Sequence, residues 1–177
     1  MQKHTSALTS QNFGLRTNIA YRYVPDGARS VLDYGCGRFG GGTARKKCEA
    51  RGISWSGYDP YWKTPEENAA VLKAAEENPP DCVVCSNVLN VIDDIRTVSE
   101  TVCACLRLGK HGTVIFSVYE GDGSGRGRET KPGCWQRNEP KAVWKARIAE
   151  YAEKYGVSAE AHGNVFVCTG KERGTEQ

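Results

Sequence analysis

Ten residues constrain this chain more than any others: Val31-Leu32-Asp33-Tyr34-Gly35-Cys36-Gly37-Arg38-Phe39-Gly40. A short apolar run that ends in an acid and breaks into glycines is a strand that stops abruptly, leaving its backbone to turn beneath a ligand. Gly35 and Gly37 have no β-carbon to hold the main chain away from a nucleoside or an amino-acid moiety. Asp33, at the carboxyl end of the strand, brings a negative charge to the same crevice, where it suits a cationic amine.

Two cofactor classes compete for this turn. Gly35, Gly37 and Gly40 spell G-x-G-x-x-G, and Asp59 follows at about the twenty-residue distance at which a dinucleotide fold places its ribose acid. Against a nicotinamide dinucleotide stands Asp33, whose carboxylate would repel a pyrophosphate yet hold the ammonium of S-adenosylmethionine; Arg38 offsets part of that charge. Val31-Leu32-Asp33-x-Gly35-Cys36-Gly37 resembles the first motif of class I S-adenosylmethionine-dependent methyltransferases. Phe39 stands where that motif usually has its third glycine, two places after Gly37.

At 177 residues the chain predicts one domain, too short for a cofactor domain plus a separate catalytic domain of the dehydrogenase kind. The net charge of +3 permits a nucleic-acid partner without requiring one. Its distribution is more telling, because Glu120 to Arg147 holds seven Lys or Arg against four acids. The eight cysteines raise a metal or disulfide question. Cys82-x-x-Cys85 lies in a strand-like run, where positions three apart face opposite sides, and Cys103 and Cys105 have no histidine at ligand spacing. The cysteines therefore read as small buried hydrophobes with no metal site. No apolar run is long enough for a membrane span or a signal peptide, which predicts a soluble, cytoplasmic protein with reduced thiols.

In chain order, residues 1–28 read as an N-terminal arm or short helix able to close over the cofactor site, with Lys3, His4 and Thr5 as candidates to reach it. Thr43 to Arg51 predicts a helix stopped by Gly52, and Ile53 to Tyr58 the second strand. That strand ends at Asp59, followed by Pro60, Tyr61 and Trp62. An acid there is positioned to accept both ribose hydroxyls, with the aromatic residues flanking an adenine. Thr64 and Pro65 open a second helix. Asn78-Pro79-Pro80-Asp81 has the letters of a DNA amino-methyltransferase turn, but it precedes the strand Cys82 to Ser86 and lacks the closing aromatic, so it reads as a connector. The catalytic position after that strand holds Asn87 and Val88 instead, with Asn87 at the cofactor edge. Asp93 or Asp94 caps a helix to Leu106 or Leu108, and Gly112 to Val118 is the next strand. A long glycine-rich loop, Tyr119 to Glu139, precedes a helix from Pro140 to Tyr155. Val157 to Ala161 and Val165 to Thr169 predict a closing antiparallel hairpin. Residues 29–170 would form the domain, and 171–177 a disordered tail.

Several blocks in order resemble one subgroup, the methyltransferases associated with DNA phosphorothioation and their small phage-borne relatives. They are Asp33-Tyr34-Gly35-Cys36-Gly37-Arg38, Gly57-Tyr58-Asp59-Pro60-Tyr61, Val88-Leu89-Asn90-Val91-Ile92, and the loop residues Gly121-Asp122-Gly123 through Thr130, Gly133, Trp135 and Gln136; His4-Thr5 with Ala7 is also similar. The resemblance implies an α/β, Rossmann-like class I fold with a mostly parallel sheet and a C-terminal antiparallel hairpin. It lacks the third strand, since one helix alone separates Asp59 from Cys82. It also implies S-adenosylmethionine as cofactor, a bacterial or phage-infected cell, DNA or a nucleotide as acceptor, and a protein partner in a modification complex.

The cofactor-binding candidates are thus Asp33, Gly35, Cys36, Gly37, Asp59, Pro60, Tyr61, Asn87 and Val88. Methyl transfer needs a positioned acceptor more than acid–base groups. For that role the candidates are Asn87, Tyr119, Asp122 as proton acceptor, Trp135 for stacking, Gln136 for reading an amide or base edge, and His4 from the arm. Arg126, Arg128, Lys131 and Arg137 are expected on phosphate. A non-catalytic cofactor-binding partner and a small nicotinamide-dependent oxidoreductase remain as alternative readings.

Overall fold

Successive side chains point to opposite faces of each strand, and that alternation decides the layering. In a computed structural model describing residues 18–170, the sheet has the order β2-β1-β3-β4-β8-β7. The strands are β1 (Ser30–Tyr34), β2 (Ser54–Tyr58), β3 (Cys82–Ser86), β4 (Thr113–Ser117), β7 (Val157–His162) and β8 (Val165–Gly170). β1 to β4 are mutually parallel, and β8 returns antiparallel between β4 and β7. Lys3, His4, Thr5 and the tail 171–177 lie outside the described residues.

Val31, Cys82, Val84, Ile115 and Val165 face one layer, made by a 3-10 turn (Ile19–Tyr23) and α1 (Gly42–Ala50). Leu32, Val83, Cys85, Val114, Phe116 and Phe166 face the other, made by α2 (Pro65–Glu77), α3 (Ile95–Leu108) and α4 (Lys141–Lys154). The period of two thus sends Cys82 and Cys85 into different layers, as expected for a strand and not for a metal knuckle. β3 and β4 are buried throughout, as covering helices on both faces require of parallel strands.

Handedness then places the crevice. Right-handed crossovers put α1 on one face on the way from β1 to β2, and α2 on the other on the way back to β3, because the direction of travel reverses. β1 is the point of reversal, and a ligand crevice opens at the carboxyl ends of strands at such a point. Beyond β2 the described residues add no strand, in keeping with the single helix between Asp59 and Cys82.

Local signals behave as their chemistry predicts. Thr64 caps α2 in a reciprocal capping box with Glu67, and Asp94 caps α3. Asp81 accepts from the amides of Arg29 and Ser30 at 2.7 and 3.0 Å, tying the starts of β1 and β3 together. Asn78-Pro79-Pro80-Asp81 therefore lies at the end of the sheet opposite the glycine turn and is a connector. The stretch from Tyr119 to Glu139 departs from a plain loop. It folds into a two-stranded hairpin, β5 (Arg128–Lys131) and β6 (Cys134–Gln136), turned at Pro132-Gly133, whose Gly133 amide donates to Glu129 at 2.7 Å.

Candidate active site

Four segments meet at the carboxyl ends of β1 to β4, and Asp59 joins two of them. Its Oδ2 accepts from the Gly37 amide at 2.8 Å, while Oδ1 accepts from the amides of Tyr61 and Trp62 at 2.9 and 3.1 Å. An ionised carboxylate has about four acceptor positions. Three are filled, so Asp59 offers one further bond rather than the two the sequence suggests. Asn68 fixes the same residue through its backbone, accepting from its N–H and donating to its carbonyl.

The first loop is locked onto β2, since the amides of Gly35 and Cys36 both donate to the Tyr58 carbonyl at 2.8 and 3.1 Å. Gly35 allows a close approach across the crevice, where a β-carbon would stand 2.3 Å from Val88 Cγ2. Gly37 faces open space at φ +70. Val88 thus packs against Gly35 as a floor, and Gly37 leaves open space beside it, which makes a cradle free of side-chain bulk. Pro60 and Tyr61 are exposed at the rim, with Phe39 and Trp62 beside them. The Arg38 guanidinium lies 5.4 Å from the Trp62 ring centre and 5.9 Å from that of Phe39, so Arg38 and Phe39 stack where a third glycine would stand.

Asp33 presents little surface to solvent. It is buried, and its Oδ2 accepts the Tyr21 hydroxyl at 2.7 Å. Burial pushes its carboxyl up to about 7, with the Tyr21 hydrogen bond opposing and the Asp59 charge adding. Cys36 is buried as well; burial first, then the charges of Asp33 and Asp59, push its thiol up to about 12, so it serves as an uncharged wall.

Asn87, after β3, holds φ 55, a left-handed conformation that asparagine tolerates better than most residues; its amide donates to the Ser117 carbonyl at 2.8 Å. Asn90 is buried within the apolar run Val88 to Ile92. Its Nδ2 donates to Gln136 Oε1 at 3.2 Å, its Oδ1 accepts from the Tyr119 amide at 3.3 Å, and Gln136 Nε2 donates to the Tyr119 carbonyl at 2.9 Å. Two buried amide side chains thereby grip the Tyr119 backbone from both sides and leave the residue 60% exposed.

Gln136, with both ends of its amide engaged, holds Tyr119 in place rather than reading a base edge. Asp122 is exposed and pairs with Arg128 at 3.3 Å. Hydrogen bonds from Ser124, then the Arg128 charge, hold its carboxyl below the usual range, which weakens it as a proton acceptor. The Trp135 ring packs over Gly127, where a β-carbon would stand 2.4 Å away. Arg137, expected on phosphate, is turned inward. It donates to the carbonyls of Ile92 and Asp93 at 3.0 and 3.1 Å and shares Glu139 with Arg147. Burial opposes the charge on Glu139, but the two arginines outweigh it and hold the carboxyl low.

Three residues at this end of the sheet are not among the site candidates named from the sequence. Asn90 carried a usable signal, because an amide inside an apolar run must find buried partners. Asn138 donates to the Arg126 carbonyl at 3.0 Å, while its Oδ1 fills the space a β-carbon at Gly121 would need; Tyr21 caps Asp33. Neither had a local pattern to reveal it.

A methyltransferase-domain family model matches residues 10–171. The chain belongs to that family. Among solved structures this methyltransferase is similar to the Burkholderia thailandensis 1,6-didemethyltoxoflavin N1-methyltransferase, crystallised with S-adenosylhomocysteine, at TM-score 0.59 and 16% identity over 89% of this chain and 77% of that one. A Rhodobacter sphaeroides protein described as a candidate Zn-dependent alcohol dehydrogenase has TM-score 0.57 and 14% identity over 90% of this chain and 88% of that one. A Listeria monocytogenes protein described as a candidate S-adenosylmethionine-dependent methyltransferase has TM-score 0.49 and 16% identity over 84% and 93%. No curated protein matches. Family membership decides between the two readings of the glycine turn: the enzyme is a methyltransferase, not a nicotinamide oxidoreductase. No helix among its described residues is long and apolar enough to cross a membrane.

Proposed function

We propose that this methyltransferase acts on DNA or a DNA-modification intermediate, with the cofactor in the Gly35–Gly37 cradle and the acceptor held by the β5–β6 hairpin. The observation that carries the reading is the exposed cationic face of that hairpin, anchored where the acceptor must enter. Every residue of β5 is exposed, including Arg128 and Lys131, and Arg126 beside it is exposed too. The hairpin is held to the strand ends by Gln136 on Tyr119 and by the Arg137 amide on the Asn90 carbonyl at 2.9 Å. Arg126 and Lys131, with Arg128 paired to Asp122, suit a polyanion, and the exposed rings of Tyr119, Tyr61, Trp62 and Phe39 suit stacking on bases. The blocks that resemble phosphorothioation-associated methyltransferases support the same class of acceptor.

In this arrangement S-adenosylmethionine supplies a methyl group on a sulfonium, ready for in-line displacement. The chain's own residues orient and exclude. Asp59 accepts from a ribose hydroxyl, Gly37 gives its backbone room, and Val88 closes the floor. Tyr119, fixed by Asn90 and Gln136, presents its ring at the end of β4, and near-attack placement of this kind supplies much of the rate of a methyl transfer, any proton on the acceptor atom passing to solvent. Incubation with methyl-labelled S-adenosylmethionine and double-stranded, single-stranded and phosphorothioated DNA, followed by mass spectrometry of the nucleosides, tests the proposal. Label in a nucleoside or at a backbone sulfur is the expected result. Label appearing in added protein or in small heterocycles, with none in any DNA, would overturn it.

A further inference from the structure

Tyr21 belongs to none of the motifs, yet its side chain governs the acid of the glycine turn. It sits in the 3-10 turn that Asn18 caps, is 7% exposed, and donates to Asp33 Oδ2 at 2.7 Å. Its oxygen accepts from Trp55 Nε1 at 3.1 Å. Trp55 reaches it because the indole lies against two glycines: a β-carbon at Gly57 would stand 2.4 Å from Cη2, and one at Gly41 would stand 2.4 Å from Cζ2. Four segments, the 3-10 turn, β1, β2 and the start of α1, are thus shaped around one hydrogen bond to one carboxyl group.

That carboxyl has no cation to balance it among the described residues. The titratable groups acting with it are Tyr21 from the 3-10 turn, Cys36 from the glycine loop, Cys48 from α1, Asp59 from the end of β2 and Cys105 from α3. Lys63 and Arg51 act on Cys36 and Cys48 and are not among the groups that act on Asp33. A buried acid held by a phenol, beside a second acid, keeps its proton to a higher pH than an exposed carboxyl, and an arriving positive charge favours its release.

We propose that Tyr21 positions Asp33 for the cofactor's ammonium group, and that binding the cofactor expels one proton from Asp33 to solvent. The Asp33 O–H bond breaks, its proton goes to buffer, and an ammonium N–H takes its place as hydrogen-bond donor to the carboxylate. Tyr21 keeps its own proton, because burial and then Asp33 push its hydroxyl far upward, and it remains a donor throughout. The inference rests on the proposed placing of the cofactor at the glycine turn.

Calorimetric titration of the full chain with S-adenosylhomocysteine, which retains the ammonium, reads the proton directly when repeated in buffers of different ionisation enthalpy. About one proton released per bound molecule at pH 6, falling toward zero above roughly pH 8, is expected for a group with a midpoint near 7. Asp33→Asn should abolish the release, and Tyr21→Phe should move its pH profile upward by roughly one unit. If Tyr21→Phe only lowers thermal stability and leaves the profile in place, the positioning role is refuted. Should Asp33→Asn fail to fold, loss of the protonated-carboxyl infrared band on titration of the wild type reads the same event, and persistence of that band refutes it. Binding without proton release sinks the coupling alone, whereas absence of binding from pH 6 to 8 sinks the placing of the cofactor with it.

Discussion

Replacing Asp59 by asparagine changes one oxygen into an NH2 group and nothing in shape, yet it attacks both tasks assigned to this residue. The Asp59 carboxylate takes three backbone amides, from Gly37 on one oxygen and from Tyr61 and Trp62 on the other. Asparagine can keep only one of those two sides, because its NH2 would face an N–H donor on the other. Gly37 is the side to give way, since the remaining oxygen satisfies two amides at Tyr61 and Trp62. A hydrogen bond to a charged group contributes roughly 1.5–3 kcal/mol, and Asp59 is buried, so water offsets little of the loss. At roughly 2–4 °C per kcal/mol for a chain of this size, Asp59→Asn should lower the melting temperature by about 3–12 °C. Affinity for S-adenosylhomocysteine should fall by about ten- to a hundredfold, as the loop loosens and a charge-assisted ribose bond weakens. Scanning fluorimetry and calorimetric titration measure the two effects separately. A variant that melts within a degree of wild type refutes the loop-tying role, and one that melts lower but binds with unchanged affinity refutes the ribose assignment.

Burial raises Asp33 to about 7 from its ordinary 3.8, so the folded chain keeps a proton that the unfolded chain has lost between those values; stability should fall as pH rises from about 4 to about 7 and level off above. At about 1.4 kcal/mol per unit the drop is ~4 kcal/mol at most, and urea melts of Asp33→Asn that keep the wild-type slope would contradict this. Asn90→Ala leaves the Tyr119 amide and Gln136 Oε1 without their buried partner and should cost about 2–4 kcal/mol in denaturant melts; a loss under about 1 kcal/mol would show that Asn90 does not hold Tyr119. Charge reversal at Arg126 and Lys131 should weaken binding of DNA and flatten its salt dependence without altering the melting temperature, and unchanged DNA affinity would remove the hairpin from the acceptor site. Metal analysis of protein prepared without chelator should find well under one zinc per chain, because Cys82 and Cys85 point into different layers; stoichiometric zinc would overturn that reading.

What the sequence disclosed and what it concealed follow from the range of the interactions involved. The strand ending at Asp33, the acid at Asp59, the Thr64 cap and the closing hairpin are each specified by neighbours along the chain, and each lies where its local pattern places it. Asn78-Pro79-Pro80-Asp81 was also readable as a connector, since a strand follows it rather than precedes it. The contacts that finish the site are long-range. Tyr21 meets Asp33 twelve residues on, Trp55 meets Tyr21, and Asn90 meets Gln136 across forty-six residues. No periodicity encodes such pairs. For the same reason Arg137 read as a free cation, although the carbonyls of Ile92 and Asp93 and the carboxylate of Glu139 hold it inside. The stretch from Tyr119 to Glu139 concealed its hairpin behind glycines that read as flexibility, one of which, Gly121, in fact makes room for Asn138.

Hydrogen–deuterium exchange of the full chain with and without S-adenosylhomocysteine tests most directly whether the glycine turn is the cofactor site. Added protection is expected in peptides covering residues 33–41, 58–63 and 86–91, with none around 78–81 at the opposite end of the sheet. Binding that protects other segments and leaves 33–41 unchanged would contradict it.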